Sequence, residues 1–153
     1  MARNESLLCA AILALLLAGC ATVKDDPAPA ACNGAPASFV LALERAPGAV
    51  RLDDGTRLST CVRRARTDGE LQTLGVSLVA AADALRARVA SDPAAAAGLG
   101  YLTAAVRTGV AANQGLATQL GRRVEHAATL DDGASAAALA ARARGLLAGK
   151  SSG

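Results

Sequence analysis

The strongest pattern along the chain is a helical spacing of apolar positions. Leu71, Leu74, Leu78, Ala82, Leu85 and Val89 recur at steps of three and four, which places them on one face of a helix running to about Ala90. Asp83, Arg86 and Arg88 fall on the other side, and Thr67-x-x-Glu70 forms a capping box at its start. Asp92 and Pro93 open a second series, in which Leu99, Leu102, Val106, Val110, Ala117, Leu120 and Val124 predict helix to about Ala128. Gly98, Gly100, Gly109, Gly115 and Gly121 interrupt that series, and each costs about 1 kcal/mol relative to alanine inside a helix. Asn113-Gln114-Gly115 is the expected break. Asp131-Asp132-Gly133 predicts a turn, after which Asp132 or Ser135 caps a last helix to about Ala148, with Leu139, Ala143, Leu146 and Leu147 as its apolar stripe. Residues 149–153 are expected to fray as a disordered tail.

The first third of the chain is less periodic. Ser38 followed by Phe39-Val40-Leu41-Ala42-Leu43 suggests a short helix that Pro47-Gly48 ends. Asp53-Asp54-Gly55, flanked by Ala49-Val50-Arg51-Leu52 and Thr56-Arg57-Leu58, predicts a short β-hairpin over 49–59. Residues 21–37 hold three prolines among acidic and small residues, and read as an extended tether. Together these elements predict a mainly α protein: a small antiparallel helical bundle over 38–148 with short connections.

The N-terminus adds a destination. Arg3 leads into the apolar run Leu7 to Ala18, about twelve residues, whereas a membrane-spanning helix needs about 20. Residues 1–19 therefore read as a secretory signal that is removed. The run ends in Leu17-Ala18-Gly19-Cys20, which resembles the lipobox of bacterial lipoproteins at every position. That resemblance covers about 20 residues and does not reach the mature domain. It implies cleavage before Cys20, a diacylglyceryl group on the Cys20 thiol and often an acylated amine, hence two or three acyl chains such as palmitate. One chain gives only marginal membrane binding, while two or three anchor stably. The expected location is the cell envelope, with the exported protein lipid-anchored to a bacterial membrane. Ala21 is not the aspartate that disfavours outer-membrane export, and the residues name neither membrane.

This destination sorts the cysteines. Cys9 leaves with the signal and Cys20 carries lipid, so Cys32 and Cys61 remain. In an oxidising compartment they suggest one disulfide, the alternative being two free thiols or an intermolecular bond. No Cys-x-x-Cys supports a redox or zinc site, and no cofactor or metal is expected.

Composition narrows the chemistry further. The chain has 153 residues, 52% hydrophobic but only 1% aromatic, with 40 alanines and a net charge of +3. Aromatic-lined pockets and base-stacking surfaces are therefore disfavoured, and with export they argue against nucleic acid. Small residues let helix backbones approach closely, so Gly109, Ala112, Ala117 and Gly121 form a candidate interface for a second helix, from an envelope protein partner or another copy. Fourteen arginines stand against two lysines. Arg63, Arg64 and Arg66 cluster before the Thr67 cap as a candidate contact for anionic headgroups or acidic glycans, although a solvated charged face explains them as well. Arg122-Arg123 and Arg142 with Arg144 form lesser groups.

Catalytic constellations are poorly supplied. His126 is the sole histidine, and a lone histidine near a helix end is accounted for by solvation or by the helix dipole. The pairs Asp25-Asp26, Asp53-Asp54 and Asp131-Asp132 lie in the predicted tether or turns, where turn chemistry explains them. The expectation is a membrane-anchored, non-catalytic helical binding or scaffold module. The alternative is an envelope enzyme or enzyme accessory with a site built from Asp, Glu, Arg and His126. Metabolic labelling with a fatty acid should mark the wild-type chain and leave Cys20→Ala unmarked; an unlabelled wild-type chain would remove the anchor.

Overall fold

A computed structural model describes residues 26–113 and 115–153. The signal, the lipobox with Cys20 and the first residues of the tether lie outside the described residues. A 3₁₀ turn at Ala30–Asn33 is followed by six α-helices among those residues: α1 Pro36–Leu43, α2 Leu58–Arg64, α3 Asp68–Arg88, α4 Ala95–Ala112, α5 Thr118–Ala127 and α6 Ala136–Ser152.

Helix α3 starts where its capping box sits. Thr67 Oγ1 accepts from the Glu70 N–H at 3.2 Å, and Glu70 Oε2 accepts from the N–H groups of Thr67 at 3.0 Å and Arg66 at 2.9 Å. These backbone donors hold the Glu70 carboxyl below its ordinary pKa. Leu74, Leu78, Ala82 and Leu85 are buried as the spacing predicts, with Leu71 and Val89 half-buried. Asp92 Oδ1 then accepts from the Ala94 N–H at 3.1 Å and opens α4.

Helix α4 is the axis of the molecule. Every residue from Ala95 to Val106 is buried, so this stretch is surrounded rather than one-sided. Gly98, Gly100 and Gly109 do not interrupt it; each sits where a neighbour comes too close for a side chain. A Cβ on Gly98 would lie 3.1 Å from the Leu43 carbonyl oxygen of α1, and one on Gly109 would lie 2.5 Å from Cβ of Val62 in α2. The helix ends at Asn113, and Gly115 turns the chain with φ of 91°, so the expected break is present. Asn113 is itself fully buried. Its Nδ2 donates to the carbonyls of Val62 at 2.8 Å and Ala65 at 2.9 Å, capping the end of α2 from fifty residues away.

The hairpin over 49–59 does not form; among the described residues there is no strand. Asp53-Asp54-Gly55 does turn, with the Gly55 N–H donating to Leu52 and the Leu52 N–H donating to Thr56. Only Thr56 and Arg57 separate this turn from α2, too little chain for a second arm. Val50 and Leu52 bury in the core individually, 0% and 4% exposed. The spacer expected through residue 37 is folded from Ala30 onward, because Cys32 is buried and bonded to Cys61 across a Cα separation of 5.3 Å. By chain-entropy reasoning a loop of this length contributes about 3–4 kcal/mol.

Helix α6 inverts its predicted orientation. Leu139 and Leu147 are 55% and 72% exposed, Ala143 is exposed and Leu146 half-buried. The inward residues are Ala138, Ala141, Gly145 and Gly149, and α6 packs almost solely on α4. A Cβ on Gly145 would overlap the Ala97 carbonyl, one on Gly149 would lie 2.5 Å from that of Tyr101, and Gly153 lies on Ala105. Contacts that advance together along both helices show that α4 and α6 are parallel, as expected for alternate members of an up-down bundle. The tail does not fray either: helix continues to Ser152, and Ser59 Oγ of α2 donates to the Gly153 carbonyl.

Gly145→Ala should therefore destabilise the protein by about 1–3 kcal/mol or more through overpacking. Gly69→Ala, in the first turn of α3 with nothing within 4 Å of an added Cβ, should be neutral or stabilise by up to about 1 kcal/mol. Urea unfolding of the two variants checks both signs.

Candidate functional site

The groove between α3 and α5 is set by how the two helices pack. Leu120 of α5 seats on α3 at Gly75, 3.7 Å from where a Cβ would stand, an ordinary van der Waals distance. Leu120, Gly121, Val124 and Ala127 form the buried face of α5. Their spacing turns Arg122, Arg123 and His126 outward, all three exposed. These line a groove of about 590 Å³ together with Val79, Asp83, Arg86 and Ala127. Through Asp83 and Arg86 it continues into a recess of about 770 Å³ bounded by Val89, Leu130, Asp131, Gly133 and Ser135.

Charge in the first part of the groove is lopsided. Asp83 is the one carboxylate among its described lining residues, and it pairs with Arg86 at 3.1 Å. Arg122, Arg123 and the His126 side chain make no hydrogen bond or ion pair among the described residues. Glu125, next to His126, faces elsewhere: it accepts from Arg107 Nε at 2.8 Å, and this contact holds its carboxyl below the ordinary glutamate range. The groove thus presents two uncompensated guanidinium groups beside an exposed imidazole, with apolar side chains for a floor. Such a surface can hold an anionic group by charge-assisted hydrogen bonds. It places no carboxylate in hydrogen-bond contact with His126, and no cluster of three or more His, Cys, Asp or Glu fit to hold a metal occurs among the described residues.

The predicted site residues separate. Arg63, Arg64 and Arg66 do not form a bare cationic cluster. Arg64 pairs with Asp26 at 3.4 Å, Arg63 Nη2 lies 3.5 Å from Thr60 Oγ1, and the Arg66 N–H donates to Glu70. Of the candidate helix interface, Gly109 lies against α2, Ala117 is fully buried and Gly121 lies 3.1 Å below Val110 Cγ2 for an added Cβ; only Ala112 is exposed. The small-residue face meets helices of its own chain. The acid pairs behave as turn residues, Asp54 accepting from the Thr56 N–H at 2.9 Å. Along the chain Arg122-Arg123 is a lesser arginine group and His126 a lone histidine near a helix end; the fold sets them together beside Arg86. No protein family, curated protein or solved structure matches the chain. Among the described residues, no helix is long and apolar enough to cross a membrane.

Glu125→Gln should remove part of the stability gained as pH rises. A carboxylate with a lowered folded pKa stabilises above its unfolded value, and that gain is lost as pH falls through the folded one. With Glu125 and Arg107 both over a third exposed, the variant should lose no more than about 1 kcal/mol at neutral pH. Unfolding curves of the two proteins should converge in acid.

Proposed function

We propose that the protein is a membrane-anchored helical binding module of the bacterial envelope, held by lipid on Cys20 and binding an anionic ligand in the α3–α5 groove. The observation that carries the binding reading is the convergence of Arg122, Arg123 and His126 on Arg86, with Asp83 the only carboxylate among the described residues lining that part of the groove. The lipobox resemblance at residues 17–20 supports the anchor. The apolar floor of Val79 and Ala127 supports a ligand larger than a bare ion, such as an acidic glycan or an acidic protein segment. The enzymatic alternative would need a partner that sets the proton position on His126.

Because His126 is the single histidine, its ring protons give one resolved NMR reporter inside the groove. Adding an acidic oligosaccharide such as oligogalacturonate should shift that signal, with an apparent affinity that falls as salt rises. The neutral oligosaccharide should not shift it, and Arg122→Gln with Arg123→Gln should weaken the acidic response at least tenfold. An unmoved His126 signal at millimolar ligand would reject the groove as a glycan site.

A further inference from the structure

The outward face of α6 is the least explained surface of the fold. Bulky residues of a packed helix normally point inward, yet here glycine and alanine face α4 while Leu139 and Leu147 face out. Over its seventeen residues the helix carries Arg142, Arg144 and Lys150 and no acid. Arg144 and Lys150 are exposed beside the leucine stripe, and Arg51 adds a cation at the C-terminal end by donating to the Ser152 carbonyl at 3.1 Å. Asp131 and Asp132 lie in the turn before the helix, and Asp53 and Asp54 in the loop beyond Arg51.

The chain route brings the C-terminal end of α6 near the anchor. Asp26 is the first described residue and pairs with Arg64 at one end of α2, while Ser59 in the same helix holds Gly153 at the end of α6. Five residues lie between Cys20 and Asp26, a span of at most about 22 Å. We infer that the outward face of α6 docks on the anionic bilayer surface beside the anchor, with Leu139 and Leu147 at the acyl boundary and Arg144 and Lys150 on lipid phosphates. This rests on the lipid-anchor reading and not on the groove.

The charge pattern selects lipid over a second copy, because two α6 faces meeting would oppose cation to cation with no acid on either helix. A short stripe of two leucines and flanking alanines binds a bilayer weakly by itself, but the tether supplies the effective concentration that makes weak docking sufficient. Docking this way also sets the module's orientation. Helix α6 packs almost solely on α4, whereas α3 and α5 also pack on each other, so the face of α6 that docks carries none of Arg122, Arg123 and His126.

The test uses the full lipidated chain reconstituted in vesicles, with a fluorophore on Leu147→Cys and, separately, on Val76→Cys of α3, which is 54% exposed. In phosphatidylglycerol-containing vesicles, lipid-borne quenchers should reach the label at 147 and not the one at 76, while aqueous iodide should show the reverse. Pure phosphatidylcholine should lower the docked fraction several-fold, and Arg144→Gln with Lys150→Gln should lower it in anionic vesicles by about fivefold per cation. A protein that fails to float with vesicles defeats the anchor itself and this inference with it. One that floats while its 147 label stays open to iodide overturns only the docking. A 147 label shielded from both quenchers, with crosslinks between copies, overturns it in favour of self-association.

Discussion

Close approach of backbones around α4 is the constraint on which the rest of the structure depends. A helix buried on every side over Ala95–Val106 must accept neighbours from several directions, and with bulky side chains throughout they would stand 8–10 Å away. Here Gly100, Gly145 and Gly149 remove the intervening atoms along the α6 contact, and Gly98 and Gly109 do so toward α1 and α2. The interface between α4 and α6 is accordingly a separate cluster of Ala96, Ala97, Ala138 and Ala141, apart from the leucine-containing core. Each alanine removes little apolar area, so this contact draws on many short-range dispersion contacts instead of a few large side chains. Such an interface tolerates no added methyl group. The disulfide between Cys32 and Cys61 complements it, because it restrains the one region, from the 3₁₀ turn to α2, that has short helices and long irregular connections.

The same constraint explains which elements were legible in the sequence and which were not. Where leucine and valine form the buried face, as at Leu74, Leu78 and Leu85 or Leu120 and Val124, the three-and-four spacing located the helix and its inward side. Local backbone chemistry was equally readable: the Thr67–Glu70 box and the turn at Gly115 are determined within a few residues. Helix α6 was read with its faces reversed, because periodicity reasoning assigns large apolar residues to the interior. That assumption fails when the partner helix demands glycine. The order of residues 149–153 was hidden for a related reason, since it depends on Ala105 and Ser59, both far away in sequence. The missing hairpin reflects competition: Asp53-Asp54-Gly55 makes its turn, but Leu58 and Cys61 are drawn into a helix against α4.

Arginine shows the same division between local and tertiary information. The densest run, Arg63, Arg64 and Arg66, offers a possible anion contact beside the plainer reading of a solvated charged face, and the fold sets Asp26 against Arg64. The pair Arg122-Arg123 is sparser, but Leu120 and Val124 pack α5 on the core so that Arg86 and His126 share its groove. What distinguishes the two groups is compensation, which depends on the carboxylates a fold brings near and cannot be counted along the chain.

The two proposed contacts draw on separate sets of cations. An acidic ligand in the α3–α5 groove and an anionic bilayer would compete for the same cations if they shared one face. Arg122 and Arg123 stand on α5, whereas Arg144 and Lys150 stand on α6, which packs almost solely on α4. The Debye length at physiological salt is about 8 Å, so exposed cations farther apart than that are largely screened from one another. A module docked as proposed would use the cations of its groove independently of those that face the bilayer. That independence requires α6 to stay rigidly on α4, which returns to the glycine contacts: a looser α6 would carry its cations away from a fixed orientation, and the groove's direction would be lost with them.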